Sequence, residues 1–281
     1  MNKEHFEKNR ERIARLRPID DTFFEKIAES VEVCQEMLRV FLNDKELTVL
    51  SVVPQKSVKN LQGRSVRLDA YCIMGDGKSV NVEVQRSGNE EHLKRVRYNA
   101  SCITANITDP GEKFQNVPNV LVVYISETDI FKAKKTVYHI DHVIREKNEI
   151  VDNGLQQIFI NAAIDDGSEI AELMQCFLQT EVNNKKFPKL SERVYYFKND
   201  KEGVRSMCKI SEEIRKEGET IKLIELICKK IQKNKSLEQI SDDLEEDLEN
   251  LRPIYDAAYQ CAPEYDYDRI YDIYIDRKNM Q

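Results

Sequence analysis

Asp69, Glu83 and Gln85 are the residues whose types and spacing suggest chemistry. They lie in RLDAYCIMGDGKSVNVEVQ, residues 67–85, where two runs of alternating polar and apolar residues flank Gly75-Asp76-Gly77. Alternation with period two predicts a pair of strands, with Val66, Leu68, Ala70 and Cys72 on one face of the first and Arg67, Asp69 and Tyr71 on the other. In the second, Val80, Val82 and Val84 point to the apolar face and Asn81, Glu83 and Gln85 to the polar one. A two-residue turn would set Asp69 against Val84 and oppose unlike faces. A three-residue loop with Gly77 left-handed instead brings Asp69 opposite Glu83 and Arg67 opposite Gln85.

Two carboxylates in that relation repel, so something cationic must compensate. A divalent cation suits the pair: Mg²⁺ takes one or two carboxylates and fills its remaining positions with water and phosphate oxygens. So bound, it polarises a phosphodiester and activates an attacking water. The other reading of the same residues is an ordinary wet sheet face on which Arg67 and Lys78 neutralise the acids.

The surrounding elements must position this hairpin. DDTFFEKIAESVEVCQEMLRVFL, residues 20–42, has helical spacing with Asp20-Asp21 as a candidate N-cap, and predicts one or two helices. LTVLSVVPQ, 47–55, reads as a strand ending near its proline. From Asn89 the apolar residues Leu93, Val96, Ala100, Ile103 and Ile107 recur at steps of three and four until Asp109-Pro110-Gly111. VPNVLVVYISE, 117–127, is the near-continuous apolar run of a buried strand. Further strands are expected at 136–144 and 156–164, and a helix at 169–179. The pattern is that of a mixed α/β domain over residues 1–200. Beyond it, Met207, Ile210, Ile214, Ile221, Ile224, Ile227 and Ile231 form a stripe near coiled-coil spacing, with Gly218 a weak point. Ser236 and Gln239 make an S-x-x-Q capping box, and a second helix runs from about Glu246 to Tyr259. Residues 201–281 are therefore expected to be a separate helical, partly coiled-coil module.

Composition narrows the classes. A chain of 281 residues with a formal net charge of −7 has no global attraction for nucleic acid or an anionic membrane, so such contacts need a local basic patch. Seven cysteines without a CxxC pair predict buried thiols rather than a zinc ribbon or a disulfide framework. The charged start MNKEHFEKNRERIARLRP is not a signal peptide, and no later stretch could span a bilayer, so a cytoplasmic protein with no membrane contact is expected. The four histidines are too dispersed for a triad or zinc site and are read as structural, and neither G-x-G-x-x-G nor a P-loop occurs. The lysines at 132, 134, 135, 185 and 186 read as solvated loops.

With these residues in view, the sequence resembles a known family. Asp69 followed by Glu83-Val84-Gln85 is similar to the D…(D/E)xK signature of PD-(D/E)XK nucleases. RSVRLDAYCIMGDGKSVNVEVQRS, HLKRVRYNASCITANITDPGEKF and VPNVLVVYISETDIF together resemble the PD-(D/E)XK nuclease family transposases, also called recombination-promoting nucleases. PIDDTFFEKIAES, GSEIAELMQCF and FPKLSERVYYFK extend the likeness over about residues 17–200. The resemblance implies a restriction-endonuclease-like mixed sheet flanked by helices. It also implies metal-dependent hydrolysis of DNA, as in recombination or mobile elements, with Mg²⁺ the expected ion and Mn²⁺ or Ca²⁺ as alternatives.

Carried over, Asp69 and Glu83 match the metal ligands, and Asp21 matches an accessory acid. Gln85 stands where the superfamily has lysine, and without a positive charge it cannot stabilise a developing anion as lysine does. The alternative to an active enzyme is therefore a nuclease-fold protein that binds nucleic acid or a protein partner with little or no cleavage. Arg67, Arg95, Arg97 and Tyr98 are candidate DNA contacts, the last three on the helix that carries the basic patch Lys94-Arg95-Arg97. The acidic run from Asp242 to Glu249, together with Pro253, argues against the C-terminal helices as a DNA reader and for oligomerisation or partner binding. A homodimer joined through these helices would place two sites on one assembly.

Overall fold

The computed structural model describes residues 3–58, 66–86 and 92–279. Residues 65 and 89–91, where the expected first hairpin strand and the following helix begin, lie outside the described residues, as does the side chain of Ile214. The chain divides into two compact units, residues 1–204 and 205–281.

The first unit is built on a six-stranded mixed sheet of order β1-β2-β3-β4-β8-β5. Its strands are β1 (Val49–Val58), β2 (Val66–Met74), β3 (Ser79–Gln85), β4 (Val120–Ser126), β5 (Val137–Ile140) and β8 (Leu155–Asn161). β1, β2 and β3 are antiparallel, whereas β3, β4 and β8 run parallel. Parallel central strands need both faces covered, which explains why VLVVYIS of β4 is buried at every position. The expected strand at 136–144 is broken at Asp141 into β5 and β6 (His142–Ile144), and β6 pairs with β7 (Glu149–Val151) in an exposed ribbon the sequence did not announce.

Helix α4 (His92–Ile107) covers one face, where Val96, Ala100 and Ile103 pack on Tyr71, Val120, Val122, Tyr124 and Phe159. The expected helical region at 20–42 is two helices, α2 (Asp21–Ile27) and α3 (Val31–Phe41), which lie against β1, β2 and β3. Ser30 caps α3 by accepting the Val33 N–H at 3.3 Å. On α3 pack α5 (Glu169–Leu178) and α6 (Pro188–Asn199), the latter opening with proline at its first position. The charged N-terminal stretch forms an additional helix, α1 (Lys3–Ala14). β1 also runs through Pro54 rather than ending there. It can do so because β1 is an edge strand, pairing only with β2, so the missing proline N–H breaks no ladder bond on its free side.

Helix α7 (Lys201–Ile231) passes through Gly218 without interruption. In the second unit its residues Ile224, Ile227, Cys228 and Ile231 are buried with Leu237 and Ile240 of α8 (Leu237–Leu244), with Leu251, Ile254, Ala257 and Ala258 of α9 (Leu248–Gln260), and with Ile270 of α10 (Tyr267–Asn279). The apolar stripe expected to seek a partner helix is, over this half, consumed within the chain. The capping box forms as expected: Ser236 Oγ accepts the Gln239 N–H at 3.3 Å and Gln239 Oε1 accepts the Ser236 N–H at 3.0 Å. All seven cysteines are buried and free. Among the described residues no helix is long and apolar enough to cross a membrane.

Candidate functional site

The hairpin register is the one the loop argument requires. Ala70 pairs with Val82, Tyr71 with Asn81 and Cys72 with Val80, while Gly77 closes the three-residue loop at φ +83°. The same register sets Asp69 opposite Glu83, immediately past the last regular pair. There the backbone ladder gives way to side chains: the Val84 N–H donates to Asp69 Oδ2 at 3.0 Å, and the Asp69 N–H is directed at the Glu83 carboxylate. The two acids thus take the place of a ladder rung and hold each other's strands.

Glu83 is fully buried, and the parallel register places it beside Tyr124 on the face covered by α4. Its Oε1 accepts Asn81 Nδ2 at 2.7 Å, and the buried Asn99 of α4 hydrogen-bonds to the same carboxylate. Its Oε2 has no hydrogen bond among the described residues and faces Arg95 Nη2 at 3.6 Å. Arg95 Nη1 also donates to Gln85 Oε1 at 3.0 Å, so one guanidinium spans the carboxylate and the amide that replaces lysine.

The electrostatics follow from this crowding. Burial pushes the Asp69 carboxyl well above the usual carboxylate range, and the charge of Glu83 pushes it further, against the pull of the Val84 N–H and Arg95. Glu83 is raised by burial and drawn back by Asn81, Arg95, the Asp69 N–H and Asn99. The pair is an under-compensated anionic site.

Asp21 is the first residue of α2 rather than its cap. The cap position belongs to Asp20, whose carboxylate turns back to accept the Arg17 N–H at 2.7 Å. Asp20 also pairs with Arg86 at 2.9 Å, and Arg17 and Arg86 both reach Glu127 at the end of β4. This network clamps the start of α2 to the carboxyl ends of β3 and β4. Asp21 is thereby held at the rim, close enough for its charge to act on Asp69, with its own carboxyl raised by desolvation and lowered by Arg95 and Arg86.

Of the candidate DNA contacts, Arg95 is the one that touches the acids. Tyr98 lies one turn further along α4 and is half-buried. Arg97 is exposed and, two residues from Arg95, points to the other side of the helix. Arg67 is exposed on β2, two residues before Asp69. The apolar face expected for α4 is rotated: Leu93 is 50 % exposed, whereas His92, Asn99 and Cys102 are buried. Asn99 turns inward because Glu83 requires a donor there.

His92 is a residue that spacing alone did not flag. Its Nδ1 lies 2.8 Å from the hydroxyl of the buried Tyr124, and burial together with Arg95 lowers its pKa, which favours the neutral ring. The neutral ring shares this hydrogen bond with the Tyr124 hydroxyl, whose own pKa is shifted upward by burial and by Glu83, Asp69 and Asp21. No periodicity marks the pair, because it joins a helix start to a strand that follows it in sequence.

Two carboxylates meet across this hairpin, and among the described residues no third His, Cys, Asp or Glu joins them in a cluster able to hold an ion. Two carboxylates, one of them with a buried oxygen lacking a donor, fit Mg²⁺, whose other ligands are water and phosphate oxygens. A mixed sheet that offers two acids from adjacent strands under an arginine-bearing helix is a PD-(D/E)XK α/β fold. The chain belongs to the PD-(D/E)XK nuclease family transposases: their family model matches residues 23–250, most of the chain, and extends past the first unit through α7 and α8. No curated protein and no solved structure matches the chain.

Proposed function

We propose that the protein is a metal-dependent endonuclease that hydrolyses phosphodiester bonds in DNA, in the setting of recombination or mobile elements. The observation that carries this reading is the carboxylate pair Asp69, half-buried, and Glu83, buried, mutually repelling and short of one donor at Glu83 Oε2. Without a ligand the arrangement is costly, and a divalent cation, with Mg²⁺ preferred and Mn²⁺ or Ca²⁺ as alternatives, would offset that cost. When bound, the cation would supply Lewis-acid polarisation of the phosphate and a lowered pKa for an attacking water.

The protein's own groups do the rest. Asp69 and Glu83 would hold the cation, and Asn81 and Asn99 fix the Glu83 carboxylate so that Oε2 stays available. Arg95 brings the positive charge that Gln85 lacks to the same place and is aimed to meet negative charge building on the phosphate. Gln85 then orients Arg95 rather than acting on the phosphate itself. Asp21 at the rim is an accessory acid for water or a second ligand sphere. Arg67, Tyr98 and Arg97 extend the contact along the nucleic-acid backbone.

The second reading, a nuclease-fold protein that binds without cutting, is favoured by one observation: with Gln85 at the lysine position, Arg95 is partly engaged by Glu83 and Gln85 in the free protein. The C-terminal helices are proposed to mediate homodimerisation or partner binding. Such a contact would use surfaces other than Ile224, Ile227 and Ile231, which the chain itself buries. The test is incubation of labelled DNA duplex, single strand and RNA hairpin with Mg²⁺ or Mn²⁺ against EDTA. DNA cleavage abolished by EDTA supports the endonuclease; cleavage of RNA alone reassigns the substrate; binding without cleavage selects the second reading.

A further inference from the structure

Strand β1 carries a backbone outlier beside the acids. Gln55 has φ +50°, the left-handed region, and among the described residues it is the one non-glycine residue inside a strand or helix to do so. A non-glycine residue pays conformational energy there, and such positions cluster at functional sites. Pro54 pairs with Ala70 and Lys56 with Leu68, so Gln55 sits opposite Asp69 on the side of β2 away from Glu83.

Lys56 is in register with Leu68, which is buried in the same cluster as Tyr71. Its Nζ lies 3.5 Å from the centroid of the Tyr71 ring. The ring beneath it is fixed, since the Tyr71 hydroxyl is 2.8 Å from Ser79 Oγ. Tyr71 follows Asp69 by two residues on β2, on the order of 7 Å along the strand, and shares the face that carries Asp69 and Glu83.

Lys56 is half-buried, and among the described residues it forms no ion pair with a carboxylate. Burial lowers its pKa, so its charge is carried at a cost that an arriving anion would offset. An aromatic face supports the ammonium but does not neutralise it. Given the nucleic-acid reading above, on which this step rests, we propose that Gln55 and Lys56 of β1 form a phosphate subsite. In it Lys56, seated on Tyr71, takes a backbone phosphate flanking the one engaged at Asp69 and Glu83.

The test is the salt dependence of binding of a fluorescent DNA duplex, with EDTA present to withhold the metal that cleavage would need. The full-length wild type is compared with Lys56→Met, which keeps the aliphatic contact with Tyr71, and with Lys56→Arg and Gln55→Gly. One phosphate contact contributes about 0.9 to the slope of log K against log salt, so the affinity ratio of wild type to Lys56→Met is expected to shrink about 3.5-fold between 50 and 200 mM salt. Lys56→Arg and Gln55→Gly should keep the wild-type slope, the latter because glycine accepts a positive φ. A Lys56→Met slope equal to that of wild type overturns the subsite while leaving the nuclease reading intact. Failure of the wild type itself to bind any DNA overturns both. Equal melting temperatures for wild type and Lys56→Met show that a lost slope reports binding rather than folding.

Discussion

Replacing Asp69 by asparagine should stabilise the protein when no metal is present and destroy its response to metal. Asn keeps the oxygen that accepts the Val84 N–H and removes only the charge. With opposed side-chain stems roughly 5 Å apart and an effective dielectric of about 20, two ionised carboxylates repel by about 3 kcal/mol. Arg95, at 3.6 Å from Glu83, offsets part of this, leaving a net gain of about 1–2 kcal/mol for Asp69→Asn, or about 2–8 °C in a unit of this size. The sign with pH is fixed by the direction of the shifts. Both carboxyls are raised in the folded state, so the native protein holds protons that the unfolded chain has released. Metal-free stability is then lost as pH rises from the ordinary carboxylate range through the raised folded values. The advantage of Asp69→Asn should therefore be small near pH 4.5 and grow towards pH 8. Metal reverses the order: at 100 times its dissociation constant Mg²⁺ adds about 2.7 kcal/mol to the wild type and nothing to the variant. Differential scanning fluorimetry in EDTA and in Mg²⁺ across that pH range reads all of this. A variant that melts below the wild type in EDTA at pH 8, or a wild type indifferent to both Mg²⁺ and Mn²⁺, would refute the view of the pair as an anionic cation site.

Three further outcomes are expected. Arg95→Ala should lower the rate of DNA cleavage by about 10²–10³-fold, the loss typical of one charge-stabilising donor, and adding Gln85→Lys to it should recover part of that loss in single-turnover assays. Tyr124→Phe leaves the buried His92 Nδ1 without its hydrogen-bond partner and should cost about 1–3 kcal/mol in chemical denaturation, while the melting shift produced by Mg²⁺ persists. Ser236→Ala removes the capping box of α8 and should destabilise the C-terminal unit by about 1 kcal/mol, read as a lower denaturation midpoint with cleavage unchanged.

The parts of this molecule that were legible in its sequence are those set by local rules. The hairpin register followed from period-two alternation and one left-handed glycine, and the buried run 117–127 announced a central strand before any partner was known. The capping box at Ser236 and Gln239 was equally local. The site's second layer was not local. Asn99 sits off the apolar stripe that helical periodicity gave α4, and it turns inward because Glu83 lies beneath it. His92 and Tyr124 meet across a helix and a strand, and Asp20 is diverted from its capping role by Arg17 and Arg86. The strain at Gln55 leaves no trace in composition, since glutamine next to proline in a β-rich run reads as a strand end. Similarly, the stripe on α7 carries the spacing of an intermolecular seam, and only the positions of α8, α9 and α10 show that the chain covers its second half.

The most direct test of the central claim, that Asp69 and Glu83 form a working metal-dependent cleavage site despite Gln85, is nicking of supercoiled plasmid by the purified full-length protein. Wild type, Asp69→Ala and Glu83→Ala would be run side by side in Mg²⁺, Mn²⁺ and EDTA. The account predicts conversion to open-circular or linear DNA by the wild type with metal alone, and its loss in both variants while they remain folded. No conversion by folded wild type in either metal, or equal conversion by all three proteins, would contradict it.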